Sequence, residues 1–156
     1  MLEIDIPGFG FVRLKHLVSD FTGTLSENGK LVPGIKETLN RIADFLKVHI
    51  LTADTFGRAR EELQGIQCEI HILTGKEHDV QKEEYIKKLG VEDVVAVGNG
   101  INDRKMLRAA RIGIAVCLKE GCAKDAFMAS DVMVTSAMDA LELLINTTRL
   151  KATLRF

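Results

Sequence analysis

Short runs rich in Val and Ile alternate along this chain with segments of helical period, and that alternation narrows its fold more than any other feature. The runs are Leu14–Ser19, Val48–Leu51, Cys68–Leu73, Val94–Val97, Ile112–Val116 and Val132–Val134. Between them, residues 34–47 place Ile35, Leu39, Ile42, Ala43 and Leu46 on one helical face. Thr55–Gln64 predicts a short helix with Phe56, Ala59 and Leu63 inward, and Asp79–Leu89 one that stops at Gly90. Asn102–Ala110, Cys122–Ser130 and a final helix from Ser136–Leu144 complete the series, and the basic tail at 148–156 extends that helix or docks on the surface. A strand–helix unit repeated about five times implies an α/β fold, a doubly wound Rossmann-like parallel sheet with helices on both faces. Two hairpins are expected as additions. One pairs Glu3–Ile6 with Leu14–Ser19 through Pro7, Gly8 and Gly10, and the other turns at Asn28-Gly29.

A length of 156 residues fits one domain, 1–156, with no linker or repeat to divide it. With 46% hydrophobic residues and only 2 Pro, disorder is not expected. Lys plus Arg is 21 against 22 for Asp plus Glu, so no basic excess favours nucleic acid or an anionic membrane. No apolar stretch approaches the roughly 20 residues of a membrane span. The start MLEIDIPGFG lacks the basic and apolar regions of a signal peptide. A cytoplasmic location is the resulting expectation. Cys68, Cys117 and Cys122 have neither disulfide nor zinc spacing and are expected to be small buried hydrophobes. His49 and His71 lie inside β-branched runs and are expected to fill core or edge positions rather than hold a metal.

Ligands of open α/β sheets bind beyond the carboxyl ends of the strands. The residues found there are Asp20-Phe21-Thr22-Gly23-Thr24, then Thr52-Ala53-Asp54, then Gly98-Asn99-Gly100-Ile101-Asn102-Asp103, with Lys82 on the helix before the last strand. That set suits phosphoryl transfer. A carboxylate can attack phosphorus, but its charge repels the phosphate unless a Mg²⁺ held by hard oxygens lies between them. Asp20 and Asp103 can hold the ion. Gly23 and Thr24 can aim N–H groups at phosphate, Thr52 and Asn102 can donate hydrogen bonds, and Lys82 can neutralise developing charge. Singly, each residue is as well explained by a helix cap, a strand end or a solvated surface. Their order and placement carry the argument.

That order resembles the haloacid dehalogenase superfamily of Asp-nucleophile phosphohydrolases. DFTGTL at Asp20–Leu25 is similar to its first motif, HILT ending at Thr52 to its second, Lys82 to its third and GNGIND at Gly98–Asp103 to its fourth. The resemblance covers about residues 14–145. It implies a phosphatase with an aspartyl-phosphate formed on Asp20. Lys82 and Thr22 would take part in catalysis, and Thr52, Asn102 and Gly23 would bind phosphate. Mg²⁺ would be held by Asp20, the Thr22 carbonyl, Asn99 and Asp103. Thr22 stands where the family commonly has a second carboxylate, a form shared with the P-type ATPases, so the chain looks like a soluble relative of their phosphorylation domain. General acid–base catalysis lost there is worth roughly 10²–10⁴-fold, so slow hydrolysis or a preference for acyl or aryl phosphates is expected. Asn99 stands where the family has a metal-binding Asp, which implies weaker Mg²⁺ affinity.

Neither interval between the motifs holds a cap domain, and a small hairpin takes its place. Capless relatives act on large substrates or close the site by oligomerising, so a homo-oligomer is expected. Phe9, Phe11 and Val32 are its candidate contacts, although core packing is the commoner use of each such residue. The expected partner is a small phosphorylated substrate or phosphodonor. An alternative is a regulatory phosphate-binding module of the same fold that turns over slowly or not at all. A third, an ATP-binding domain, lacks the insertion that function needs.

Overall fold

The computed structural model describes residues Met1–Phe156. Its strands are β1 (Leu2–Ile6), β2 (Gly10–Leu14), β3 (His16–Ser19), β4 (Ser26–Glu27), β5 (Lys30–Leu31), β6 (Lys47–Thr52), β7 (Glu69–Ile72), β8 (Val94–Gly98), β9 (Ile112–Val116) and β10 (Val132–Val134). Its helices are α1 (Ile35–Ala43), α2 (Ala59–Glu62), α3 (His78–Leu89), α4 (Arg104–Ala109), α5 (Lys124–Ala129), α6 (Ala137–Ile145) and α7 (Thr147–Leu154). Six strands form one parallel sheet in the order β10-β9-β8-β3-β6-β7.

Side chains alternate across each strand, so a sheet covered on both faces needs two cores. Both are present. Leu17, Val48, Ile50, Val95, Val97, Ile112 and Ile114 join the core shared with α1 and α6. Val18, Leu51, Val94 and Ala96 point the other way, into the core beneath α3, α4 and α5. Full burial of each such Val or Leu contributes about 1.5–3 kcal/mol, and these strands bury nearly every side chain.

Three local expectations are corrected, those for the amino-terminal hairpin, the Thr55–Gln64 helix and the cysteines, and the two alternatives for the tail are resolved in favour of docking. The amino-terminal hairpin pairs β1 with β2, Leu2 opposite Leu14, and β3 belongs to the large sheet instead. The apolar run 14–19 is divided at Lys15, whose N–H reaches the Asp93 carbonyl and whose carbonyl accepts from Lys47 N–H. No turn residue marks that division, so the run looks continuous. Around Thr55–Gln64 only Ala59–Glu62 is helical, because Asp54 Oδ1 accepts from the N–H groups of Arg58 and Ala59, each at 2.9 Å, and starts the helix late. Phe56 is left 48% exposed beside Gly29, where a Cβ would fall 2.7 Å from that of Phe56. The tail forms a separate helix, α7, which buries Leu150 and packs along β1. The three cysteines are unpaired and half-buried rather than fully buried.

The second hairpin forms as expected, Ser26 opposite Leu31 and Glu27 opposite Lys30. Of the candidate contact residues, Phe9 lies 4.4 Å beneath the Arg111 guanidinium and Val32 is half-buried, whereas Phe11 is 56% exposed. No helix is long and apolar enough to cross a membrane.

Candidate active site

Strand β3 is flanked by β8 and β6, and the chain winds outward from it in both directions. A crevice opens where such winding reverses. Asp20, Asn99 and Thr52 end or follow these three adjacent strands, so the sheet itself gathers the motifs expected from the sequence. They line a cleft of about 190 Å³ together with Thr22, Asn102 and Glu120.

Lys82 arrives from α3 with no exposed surface. Its Nζ lies 2.8 Å from Asp20 Oδ1 and 2.6 Å from Asp103 Oδ1. Two buried carboxylates therefore share one ammonium, and one negative charge is left over. Burial, and then the Asp103 charge, push the Asp20 carboxyl up to about 6 against the pull of Lys82. Burial alone would lower the Lys82 pKa, but the two carboxylates outweigh it and hold the ammonium above the ordinary lysine value.

Asp103 also fixes the loop. Its Oδ2 accepts from the N–H groups of Asn99 and Gly100, each at 2.9 Å. The close fit requires Gly98, where an added Cβ would fall 2.6 Å from the Asp103 Cβ. Gly98→Ala is expected to cost about 1–3 kcal/mol by overpacking. Urea unfolding should show the loss together with weakened cation binding, and an unchanged midpoint would mean the loop yields freely.

The Asp20–Ser26 loop is wound on one carbonyl. Phe21 O accepts from the N–H groups of Thr24, Leu25 and Ser26 and from the Ser26 hydroxyl. Thr24 Oγ1 lies 3.3 Å from Asp20 Oδ2 and 3.2 Å from Asn99 Oδ1. The expectation that Gly23 aims its N–H at phosphate is corrected, since that N–H donates to Ser26 O at 3.0 Å. Gly23 serves by lacking a side chain. Its φ is +76°, and a Cβ would lie 2.6 Å from Asn99 Nδ2 and 2.7 Å from Glu120 Oε2. Thr52 Oγ1 accepts from Asp54 N–H at 2.9 Å and keeps its own proton to donate.

A hard divalent cation suits this donor set. The surplus charge of the Asp20–Lys82–Asp103 group calls for a cation, and the Thr24 hydroxyl brings Asp20 Oδ2 and Asn99 Oδ1 to one point. The buried Thr22 Oγ1 has no hydrogen-bond partner. Asp103, by contrast, has both oxygens engaged already.

The sequence reading missed Glu120 and the Thr24 hydroxyl. Glu120 follows β9, the strand beyond β8, in a turn closed by Gly121 N–H to Leu118 O. The strand-end rule applied to one more strand points to that loop, though not to the residue.

No protein-family model matches the chain. It is 42% identical over 73 residues to an uncharacterised protein of Methanocaldococcus jannaschii, covering 47% of this chain and 78% of that protein. It is 30% identical over 122 residues to the phosphoserine phosphatase of Lactococcus lactis, covering 67% of this chain and 52% of the phosphatase. A probable copper-exporting P-type ATPase of Archaeoglobus fulgidus is 38% identical over 94 residues, which span 11% of that protein. The chain thus spans about half of the phosphatase and a small part of the ATPase. Among solved structures, 3-deoxy-D-manno-octulosonate 8-phosphate phosphatase of Moraxella catarrhalis, in complex with magnesium and phosphate ions and the sugar acid, has the same fold. It superposes with a TM-score of 0.64 at 20% identity, covering 91% of this chain and 94% of its own.

Proposed function

We propose that the chain belongs to the haloacid dehalogenase superfamily and is a Mg²⁺-dependent phosphatase working through an acyl phosphate on Asp20, a reading supported by the shared fold and by the partial identity to a phosphoserine phosphatase. One observation carries the reading. Asp20 stands at the carboxyl end of the central strand with Oδ1 pinned by a buried lysine and its carboxylate on the wall of the cleft. In the first step an Asp20 oxygen bonds to phosphorus, the bond to the leaving oxygen breaks, and that oxygen keeps the electron pair. Lys82 holds the nucleophile in place and offsets the charge. Thr52 and Asn102 donate to the phosphoryl oxygens. In the second step water attacks the same phosphorus, which releases inorganic phosphate and restores the Asp20 carboxylate.

The cation would be held by Asp20, the Thr22 carbonyl and Asn99, with Asp103 one shell out, steadying Lys82 and the loop. When bound, it screens the repulsion between carboxylate and phosphate. The open cleft fits a small phosphorylated substrate or phosphodonor, and Thr22 in place of a carboxylate favours acyl and aryl phosphates, whose leaving groups need little acid assistance. Closure by a second copy, with Phe11 as a contact, belongs to the same reading.

Acetyl phosphate and p-nitrophenyl phosphate test it, with released phosphate and acid-stable phosphate on the protein both followed. Release that requires Mg²⁺ is expected, and chelation should stop it. Neither release nor covalent phosphate from either donor would overturn the proposal. Covalent phosphate without release would select the regulatory reading, which the Thr22 hydroxyl favours.

Asp20 and Glu120 are the carboxylates on the cleft wall, so Glu120 is proposed to take the proton from the attacking water. Glu120→Gln should slow release by roughly 10²-fold while phosphoenzyme still forms, as read by single-turnover kinetics. Equal release rates would remove Glu120 from the step.

A further inference from the structure

On the α3 face of the sheet, towards the amino ends of the strands, a second polar cluster lies apart from the cleft. Strands β6 and β7 are parallel with His49 opposite Glu69 and Leu51 opposite His71, so alternation sends His49, Glu69 and His71 to one face. His49 Nδ1 lies 3.3 Å from Glu69 Oε2, and His71 Nε2 lies 3.7 Å from the same oxygen. All three ligating atoms fall within 4.8 Å of one another. Tyr85 on α3 closes the group, its hydroxyl 2.9 Å from His49 Nδ1 and 2.8 Å from His71 Nε2.

Neutral rings can pair with the hydroxyl unaided, His49 Nδ1–H donating to Tyr85 or Glu69 and Tyr85 donating to His71 Nε2. The other tautomer turns both ring nitrogens, the Glu69 oxygen and the Tyr85 oxygen into a convergent set of lone pairs. A cation at the centre satisfies every group at once. The geometry agrees, because tetrahedral zinc with N and O ligands at about 2.0–2.2 Å sets its ligands about 3.4 Å apart. The outer contacts are in place too. His16 Nδ1 lies 3.0 Å from His49 Nε2, so His49 can donate there and leave Nδ1 as an acceptor, while Lys47 Nζ holds Glu69 Oε1 at 2.6 Å.

We propose that His49, Glu69 and His71, closed by Tyr85, form a zinc-class metal site distinct from the catalytic cleft. Two imidazoles and one carboxylate suit zinc or cobalt rather than magnesium. The site would tie β7, the edge strand, to β6, and would brace α3 one turn beyond Lys82. It does not depend on the phosphatase reading.

Zinc titration of the metal-stripped chain tests it by calorimetry and thermal melting, with Mg²⁺ at saturation throughout. One equivalent of zinc should bind to the native chain and to Asp20→Asn alike, with a rise in melting temperature. Cobalt should give the intense visible bands of a four-coordinate ion rather than the faint ones of an octahedral site. His71→Ala and Glu69→Gln, both at half-exposed side chains, should fold and should bind zinc at least about 100-fold more weakly, beyond what loss of an outer contact costs. Absence of zinc uptake by the native chain would overturn the proposal. So would uptake that survives both substitutions but vanishes in Asp20→Asn.

Discussion

Asp20→Asn is expected to abolish phosphate release and covalent phosphate together, a loss of more than about 10⁴-fold, because the amide cannot supply the attacking oxygen. The variant should still fold, since Asn keeps an oxygen for Lys82 and fills the same space. Its stability should depart from the native chain in a defined direction. In the metal-free protein the Asp20 carboxyl sits at about 6, above its unfolded value near 3.8, so the folded state holds the extra proton between those values. A raised carboxyl pKa means stability is lost as pH rises through that window. Asp20→Asn escapes the loss. Without metal it should gain on the native chain from pH 4 to above pH 6, as read by urea midpoints. Activity lost with stability kept or raised marks a nucleophile that the fold holds at a cost. Residual turnover near the native rate would move the attack to another group.

Lys82→Met should act in the opposite way on the fold. It removes the one cation between two buried carboxylates. Breaking a buried ion pair by deleting one partner costs about 3–5 kcal/mol. The two acids can relieve the strain by keeping protons, so the loss should be small near pH 4 and full near pH 8. Parallel unfolding of the variant and the native chain at those two pH values checks this. A loss independent of pH would show that Lys82 acts by packing alone. The same variant should lose phosphoryl transfer at neutral pH even with Mg²⁺ present, because Asp20 is no longer held against the cleft.

These two residues also show how far the sequence reached. Asp20 was legible because it follows an apolar run and opens a turn-rich segment, and a strand end is a local feature. Lys82 was legible only through its place in the motif order. Nothing around it in DVQKEEY distinguishes a buried lysine from a solvated one, and its burial is decided by α3 packing, through Ile86, into the core that holds Val18, Leu51 and Ala96. Asp103 had the opposite outcome. Its position was legible, but its two oxygens are engaged by Lys82 and by its own loop, which only the folded chain reveals.

Periodicity and strand-end placement, both local along the chain, determined the α/β class, the parallel sheet and the neighbourhood of Asp20, Thr52 and Asn99. Tertiary structure decided what depends on residues far apart in sequence. It divided the run at Lys15, set Asn99 and Glu120 against the backbone of Gly23 and brought the Glu120 carboxylate to the cleft. It also set His49 and His71, read from the sequence as fillers, around one carboxylate. The physical reason is common to all four. A hydrogen bond or a ligand set is defined by separations of about 3 Å, and sequence spacing fixes such separations only within a single turn or strand.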